Sequence, residues 1–204
     1  MRIAADAYRF LIPLLAMAVA AAALSWTWLA AVAGVLFQFV LSFFRAPERN
    51  IPAEPNLIVS PADGRVVVVE QGIGGASSRV SIFLSIFNVH VNRAPIAGVV
   101  ESVESRRGKF KAAFDDTASI ENEQTVVEVV DGRQHVKVAL IAGLIARRIV
   151  CRAKPGMRFE RGERIGLIRF GSRVDLHMRG PVRVAVKKGD TVRGGASIIG
   201  IFEA

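Results

Sequence analysis

Thirty-five consecutive residues, Phe10 to Phe44, carry no charged side chain, with Arg9 before them and Arg45 after. A run of this kind is membrane sequence. As one straight helix it would extend roughly 52 Å against a hydrocarbon core of about 30 Å, so two shorter helices fit better than a single span. Ser25-Trp26-Thr27-Trp28 is the natural break, because hydroxyls and paired indoles suit an interfacial turn rather than the middle of a bilayer. Arg2 and Arg9 at one end, and Arg45 and Arg49 at the other, then place both ends on the cytoplasmic side by the positive-inside rule. A cleaved signal peptide is the competing reading, through Arg2 and the alanines Ala20 to Ala23, but the apolar stretch continues for some twenty residues past such a site.

Residues 46–204 are of another kind. They hold 24 of the 27 Lys and Arg and 17 of the 18 Asp and Glu, so most of the +9 net charge lies there. A basic domain tethered at anionic headgroups gains about 1 kcal/mol for each cation near the surface. Nucleic acid is disfavoured as a partner, since the chain offers one Tyr and two Trp as stacking platforms. The single cysteine, Cys151, excludes a disulfide scaffold, and a hydrophobic content of 51% excludes disorder.

A stiff, helix-hostile linker with Pro47, Pro52 and Pro55 leads out of the apolar segment. From Leu57 the chain shows short Val- and Ile-rich runs at 65–70, 80–86, 98–103, 125–130 and 135–141, separated by Gly, Pro and Asp. That spacing predicts a mainly β fold, a sandwich or barrel, with no helical pattern between the strands to make an α/β sheet. Residues 140–150 read as a buried strand and a turn. Two segments, Lys154 to Gly166 and Val186 to Gly200, share the form Gly-x-x-[Val/Phe]-x-x-Gly-x-x-Ile(-x)-Gly. They resemble the hairpins of biotinyl and lipoyl carrier domains, where glycines permit turns with positive φ. The exposed lysine that a carrier modifies is missing, so the resemblance concerns the fold alone.

Three clusters carry chemical side chains: Ser60-Pro61-Ala62-Asp63-Gly64, Phe87-Asn88-Val89-His90-Val91-Asn92-Arg93-Ala94-Pro95, and Phe170-Gly171-Ser172-Arg173-Val174-Asp175. Singly, each reads as a turn or a core histidine. In this order, with Ile145-Ala146-Arg147-Arg148-Ile149-Val150 between the last two, they resemble the short prokaryotic phosphatidylserine decarboxylase proenzymes over nearly the whole chain, the hydrophobic hairpin included. The match at Glu121-Asn122-Glu123-Gln124 is partial, since that family usually has Asn-Glu-Arg there.

The resemblance implies a domain plan of a membrane-anchoring helical hairpin, 1–45, and a β-rich catalytic domain, 46–204. It also implies a chain that cuts itself. Ser172 would attack the Gly171 carbonyl, β-elimination would separate 1–171 from 172–204, and residue 172 would become a covalent pyruvoyl group, the only cofactor expected. No metal is expected. The pyruvoyl ketone would form a Schiff base with phosphatidylserine and release CO₂ to give phosphatidylethanolamine. His90 is the best-placed base and proton donor, with Asp63 as its orienting carboxylate; it serves either both steps or decarboxylation alone, with Asp63 or a water then helping cleavage. Longer members carry two histidines as His-x-x-His-x-Pro; here Arg93 occupies the second place, and a guanidinium is no general base. Arg93 is instead a candidate for holding the substrate's carboxylate or phosphate. His135 and His177 have no motif support. The expected partners are phosphatidylserine, an anionic membrane surface, and the two cleavage products as a heterodimer, whose higher assembly is left open. Two other readings stand beside this one: a non-enzymatic, membrane-anchored β-barrel adaptor, and a pyruvoyl decarboxylase of another amine lipid.

Overall fold

Two helices and the strands that bracket them come first. In the computed structural model, which describes residues 2–72, 76–111, 117–144, 148–169 and 172–203, the chain divides into units 1–48 and 49–204. In the first unit a short strand β1 (Arg2–Ile3) pairs with β2 (Arg45–Ala46), closing the ends of a hairpin of α1 (Tyr8–Ala23) and α2 (Thr27–Phe43). The turn falls at the expected break, where Ser25 takes φ 59. Phe10 stacks on Phe44 at 5.8 Å between ring centroids, and Phe43 meets Phe44 edge-on at 5.1 Å. Around the hairpin, Ile12, Leu15, Val19, Trp28 and Val35 are all more than half exposed, an outer surface suited to lipid. The helical stretch Ala5–Ala23 is long and apolar enough to cross a membrane, whereas α2 is shorter.

The second unit is β throughout, apart from one helical turn. Its strands are β3 (Leu57–Val59), β4 (Gly64–Glu70), β5 (Ser78–Leu84), β6 (Val91–Arg93), β7 (Gly98–Arg106), β8 (Gln124–Asp131), β9 (Gln134–Ile141), β10 (Ile149–Cys151), β11 (Arg158–Phe159), β12 (Arg164–Ile168), β13 (Ser172–Arg179), β14 (Val182–Val184), β15 (Thr191–Val192) and β16 (Ile198–Phe202), with α3 (Ala118–Glu121) before β8. An eight-stranded antiparallel sheet runs β11-β7-β8-β9-β13-β5-β4-β15, and two three-stranded sheets run β10-β12-β6 and β14-β16-β3. Four of the five expected runs lie within strands, and the fifth, 80–86, overruns β5 by two residues, where the chain turns at Ser85 and Ile86. A single core joins the large sheet to the small ones: Val66, Ile82, Val127, Val138, Leu176 and Met178 from the former, Ile58, Ile165 and Ile199 from the latter.

This arrangement is its own copy. Exchanging β3, β4, β5, β13, β14, β15 and β16 with β6, β7, β8, β9, β10, β11 and β12 reproduces every sheet order. Register follows: Phe159 pairs with Gly98 as Val192 pairs with Gly64, and bulges fall between Arg164 and Gly166 in one half and Ile198 and Gly200 in the other. The two halves also exchange backbone bonds, Arg93 N to Pro61 O and Val59 N to Pro95 O, both 2.9 Å. The glycine repeat of the sequence is therefore the second part of a longer one whose first part is Ser60-Pro61-Ala62-Asp63-Gly64 and Ala94-Pro95-Ile96-Ala97-Gly98. Gly64 and Gly98 show why glycine recurs. A Cβ would lie 2.2 Å from the Phe83 carbonyl oxygen in one and 2.5 Å from that of Val130 in the other.

One half is continuous and the other is interrupted. β8 and β9 are joined by a tight turn at Gly132 and Arg133, with Asp131 paired to Gln134. At the equivalent place, where Leu84 pairs with Ser172, the whole of β6 to β12 is inserted. Ser172 thus stands where the chain re-enters its first half.

Candidate active site

Alternation along β13 decides where Ser172 points. Val174, Leu176 and Met178 belong to the core, so Ser172, in phase with them, faces the same side. It is fully buried, and its Oγ has no hydrogen-bond partner among the described residues. A buried hydroxyl without a partner costs about 1–3 kcal/mol, so the position is not explained by stability. Gly171, the other half of the expected scissile bond, lies outside the described residues.

The out-of-phase residues fix the strand from its other face. Arg173 Nε donates to Asp175 Oδ1 at 2.8 Å, and Ser119 Oγ donates to Asp175 Oδ2 at 2.7 Å. The Arg173 and Asp175 side chains are 1% and 2% exposed, so loss of Arg173 would leave a buried carboxylate without this cation. Ser119 is supplied by α3, and Asn122 moors that turn by donating to the carbonyls of Lys111 and Ala142 and accepting from the Lys111 amide. The segment that matched the family pattern only in part is thus a structural brace for the strand that carries Ser172.

His90 is buried and closes a turn. The Ser85 amide and hydroxyl both donate to Asn88 Oδ1, and the Asn88 carbonyl lies 2.9 Å from His90 Nδ1. A carbonyl only accepts, so Nδ1 carries a proton, and in the neutral form of such a ring the lone pair is on Nε2. That tautomer is the one a general base needs. The main-chain oxygen of His90 accepts from the amide of Ile168 at 3.3 Å, tying the residue to the strand that runs towards Ser172.

Asp63 and His90 are not brought together by a hydrogen bond. The Asp63 carboxylate accepts from Arg49 Nη2 at 2.7 and 3.0 Å and from the Gly194 amide at 2.8 Å. Arg93 is buried and donates through Nη1 to the Gly162 carbonyl at 2.6 Å. Burial, then the like charges of Arg164 and Arg49, pull its guanidinium below the ordinary value, with Asp63 partly opposing them. Arg49 and Arg93 thus share the neighbourhood of the Asp63 carboxylate, and the charge of Arg164 is felt at Arg93 as well.

Sequence reasoning passed over several of these groups. Arg49 entered only as a charge flanking the apolar segment, Asn88 only as part of the His90 cluster, and Ser119 not at all. Asn92 was quoted but given no role, yet it is fully buried with both amide atoms lacking partners among the described residues. The i, i+2 spacing of Arg173 and Asp175, which puts both on one face of a strand, is the signal that would have revealed the brace.

Residues 36–200 match the family model described as phosphatidylserine decarboxylase. A relative from Symbiobacterium thermophilum is 47% identical, covering 97% of this chain and 94% of its own length. One from Geobacter metallireducens is 42% identical, at 98% and 96%, and one from Solibacter usitatus is 46% identical, at 91% of each. All three are named phosphatidylserine decarboxylase proenzyme. With a model match over most of its length and near full-length relatives above 40% identity, this chain belongs to the phosphatidylserine decarboxylase family.

Proposed function

We propose that this chain decarboxylates phosphatidylserine to phosphatidylethanolamine after cutting itself between Gly171 and Ser172. Family membership supports the reaction and sets aside the adaptor reading. The observation that carries the cut is the buried Oγ of Ser172, without a hydrogen-bond partner among the described residues, at the first position of β13. A hydroxyl so placed adds to the preceding carbonyl while its proton passes to a base, and collapse of the adduct moves the acyl group from nitrogen to oxygen. Loss of the Ser172 Cα proton then expels residue 171 as a carboxylate. Water replaces the resulting enamine nitrogen, which leaves as ammonia, and residue 172 ends as a pyruvoyl group.

The residues present fit that group. It would head a strand clamped from the opposite face by Arg173, Asp175 and Ser119. When formed, it supplies a ketone that condenses with a primary amine and accepts the electron pair released with CO₂. His90 Nε2 takes the hydroxyl proton during cleavage and returns a proton to the substrate's α-carbon in turnover. Arg93, with Arg49 and Arg164 beside it, holds the substrate's carboxylate or phosphate. The role of Asp63 is to keep Arg49 in place and to fix the Gly194 amide. The hairpin 1–45 docks the enzyme at the cytoplasmic face of the cell membrane, where its basic domain meets anionic headgroups. The larger product, 1–171, and the smaller one, 172–204, stay together as a heterodimer.

Intact mass under denaturing conditions tests the cut. Active protein should run as two chains, and a single species at 22.0 kDa with full activity overturns the proposal. Deletion of 1–45 should leave cleavage intact while impairing turnover of phosphatidylserine in vesicles.

A further inference from the structure

On the face of the large sheet away from Ser172 lies a second polar cavity of about 430 Å³, lined among others by Arg106, Ser119, Lys137, His177 and Arg179. Its position follows from register. His177 pairs with Lys137 and Arg179 with His135, all out of phase with the core-facing Val136, Val138, Leu176 and Met178. Three cations, two imidazoles, two hydroxyls and one amide thus line it, and none of the lining residues is a carboxylate.

The carboxylates nearby are engaged by its walls or its floor. Glu128 meets Lys137 Nζ at 3.1 Å, Ser102 Oγ at 3.0 Å and His135 Nε2. Burial opposes its ionisation, yet Lys137, Ser102 and His135 together hold its carboxyl below the usual range. Asp175 is taken by Arg173 and Ser119, and Glu104 lies 3.3 Å from Arg106. Burial holds the His177 imidazole below its ordinary value, against the opposing charges of Asp175 and Glu70 and with the help of Arg79 and Lys137. At neutral pH His177 is therefore a neutral ring between the cations Lys137 and Arg79, its cross-strand neighbours on either side.

We propose that this cavity is a binding site for a small phosphate-bearing anion, separate from the site of decarboxylation. The volume suits a phosphate with a short substituent, and the donors are the ones phosphate oxygens take: guanidinium, ammonium, hydroxyl and amide. Through Ser119, which both lines the cavity and donates to Asp175, an occupant touches the brace that fixes the strand of Ser172. The ligand's source is either free phosphate or a lipid headgroup, and the two differ in charge and substitution.

Calorimetric titration of the purified full-length enzyme at constant ionic strength, with inorganic phosphate in one arm and glycerophosphoglycerol in the other, tests the site. The latter has no amine and cannot react as substrate. Saturable binding of at least one probe is expected, weakened about tenfold or more in Lys137→Ala/Arg179→Ala. Tighter binding of phosphate identifies the free ion as the source, and tighter binding of the diester identifies a headgroup. The His177 ring resonances, assigned by their loss in His177→Asn, should move downfield as the anion binds. Absence of saturable binding of both probes, or equal binding by wild type and double variant, overturns the proposal. The double variant should still cleave itself and decarboxylate phosphatidylserine, so failure here is distinguishable from failure of the decarboxylase reading.

Discussion

The two halves of the β unit share strands, register and bulges, and differ at the positions where chemistry is proposed. Ser172, which pairs with Leu84, corresponds to Gln134, which pairs with Asp131. His90 corresponds to Asn56: their carbonyls accept from Ile168 and Phe202 at 3.3 and 2.9 Å. Asn92 and Arg93 correspond to Ile58 and Val59, opposite Gly166 and Arg164 in one small sheet and Gly200 and Ile198 in the other. Asp63 corresponds to Ala97, each one residue before the glycine that packs on a cross-strand carbonyl. At these five positions one half holds an ordinary side chain and the other a buried or half-buried polar one, whereas the core positions Val66 and Val100, Val80 and Val127, and Ile82 and Val129 are apolar in both halves and serve packing.

That contrast can be broken by mutation. Ser172→Ala should abolish both self-cleavage and decarboxylation, while Gln134→Ala should process and turn over normally; a denaturing gel and a CO₂ assay read both. Next in size, His90→Ala should lower kcat by about 10²- to 10⁴-fold, the range of a lost general acid–base group, against less than about twofold for Asn56→Ala. The glycines should behave alike. Gly64→Ala and Gly98→Ala each force a methyl against a carbonyl and should cost about 1–3 kcal/mol in denaturant melts of the uncleaved Ser172→Ala background, and a large difference between them would count against the equivalence.

Asp63→Ala strips Arg49 and the Gly194 amide of their acceptor and should cost about 1–2 kcal/mol in the same melts, whereas Ala97→Ser should change stability by less than about 0.5 kcal/mol. The smallest effect is pH-dependent. His177, whose counterpart is Ala139, has its pKa lowered on folding, so the unfolded chain takes up the proton first as pH falls. Its contribution is present above the ordinary value of 6.5 and is lost as pH falls below it. His177→Asn should flatten that part of the stability profile, and an unchanged profile removes His177 as its source.

Much of the fold was legible because it rests on local pattern. Val-rich runs bounded by Gly and Pro became strands, and the uncharged run with its Ser-Trp-Thr-Trp interruption became a helical hairpin. The glycine repeat was legible as well, but only its C-terminal part, since glycines at positive φ leave a signature that Ser60-Pro61 and Ala94-Pro95 do not. At the site, motif order alone pointed to Ser172, His90 and Asp63. It did not give their partners. Arg49 lies 14 positions from Asp63 and Gly194 lies 131 positions away, and no local pattern encodes contacts set by the closing of a sheet. Nor does periodicity distinguish the satisfied Asn122 from the unsatisfied Asn92, a difference that only packing creates.

The inserted half has a consequence for timing. Ser172 is brought into register by Leu84, 88 positions earlier, and the intervening chain must fold into a complete half before the two can pair. Closure over so long a span comes late in folding. Of the strands of this unit, those that finish the interrupted half, β14 to β16, are also synthesised after all the others. The self-cleavage proposed at Ser172 would then wait on that closure, so that the mature form would arise only from a chain whose interrupted half is already paired.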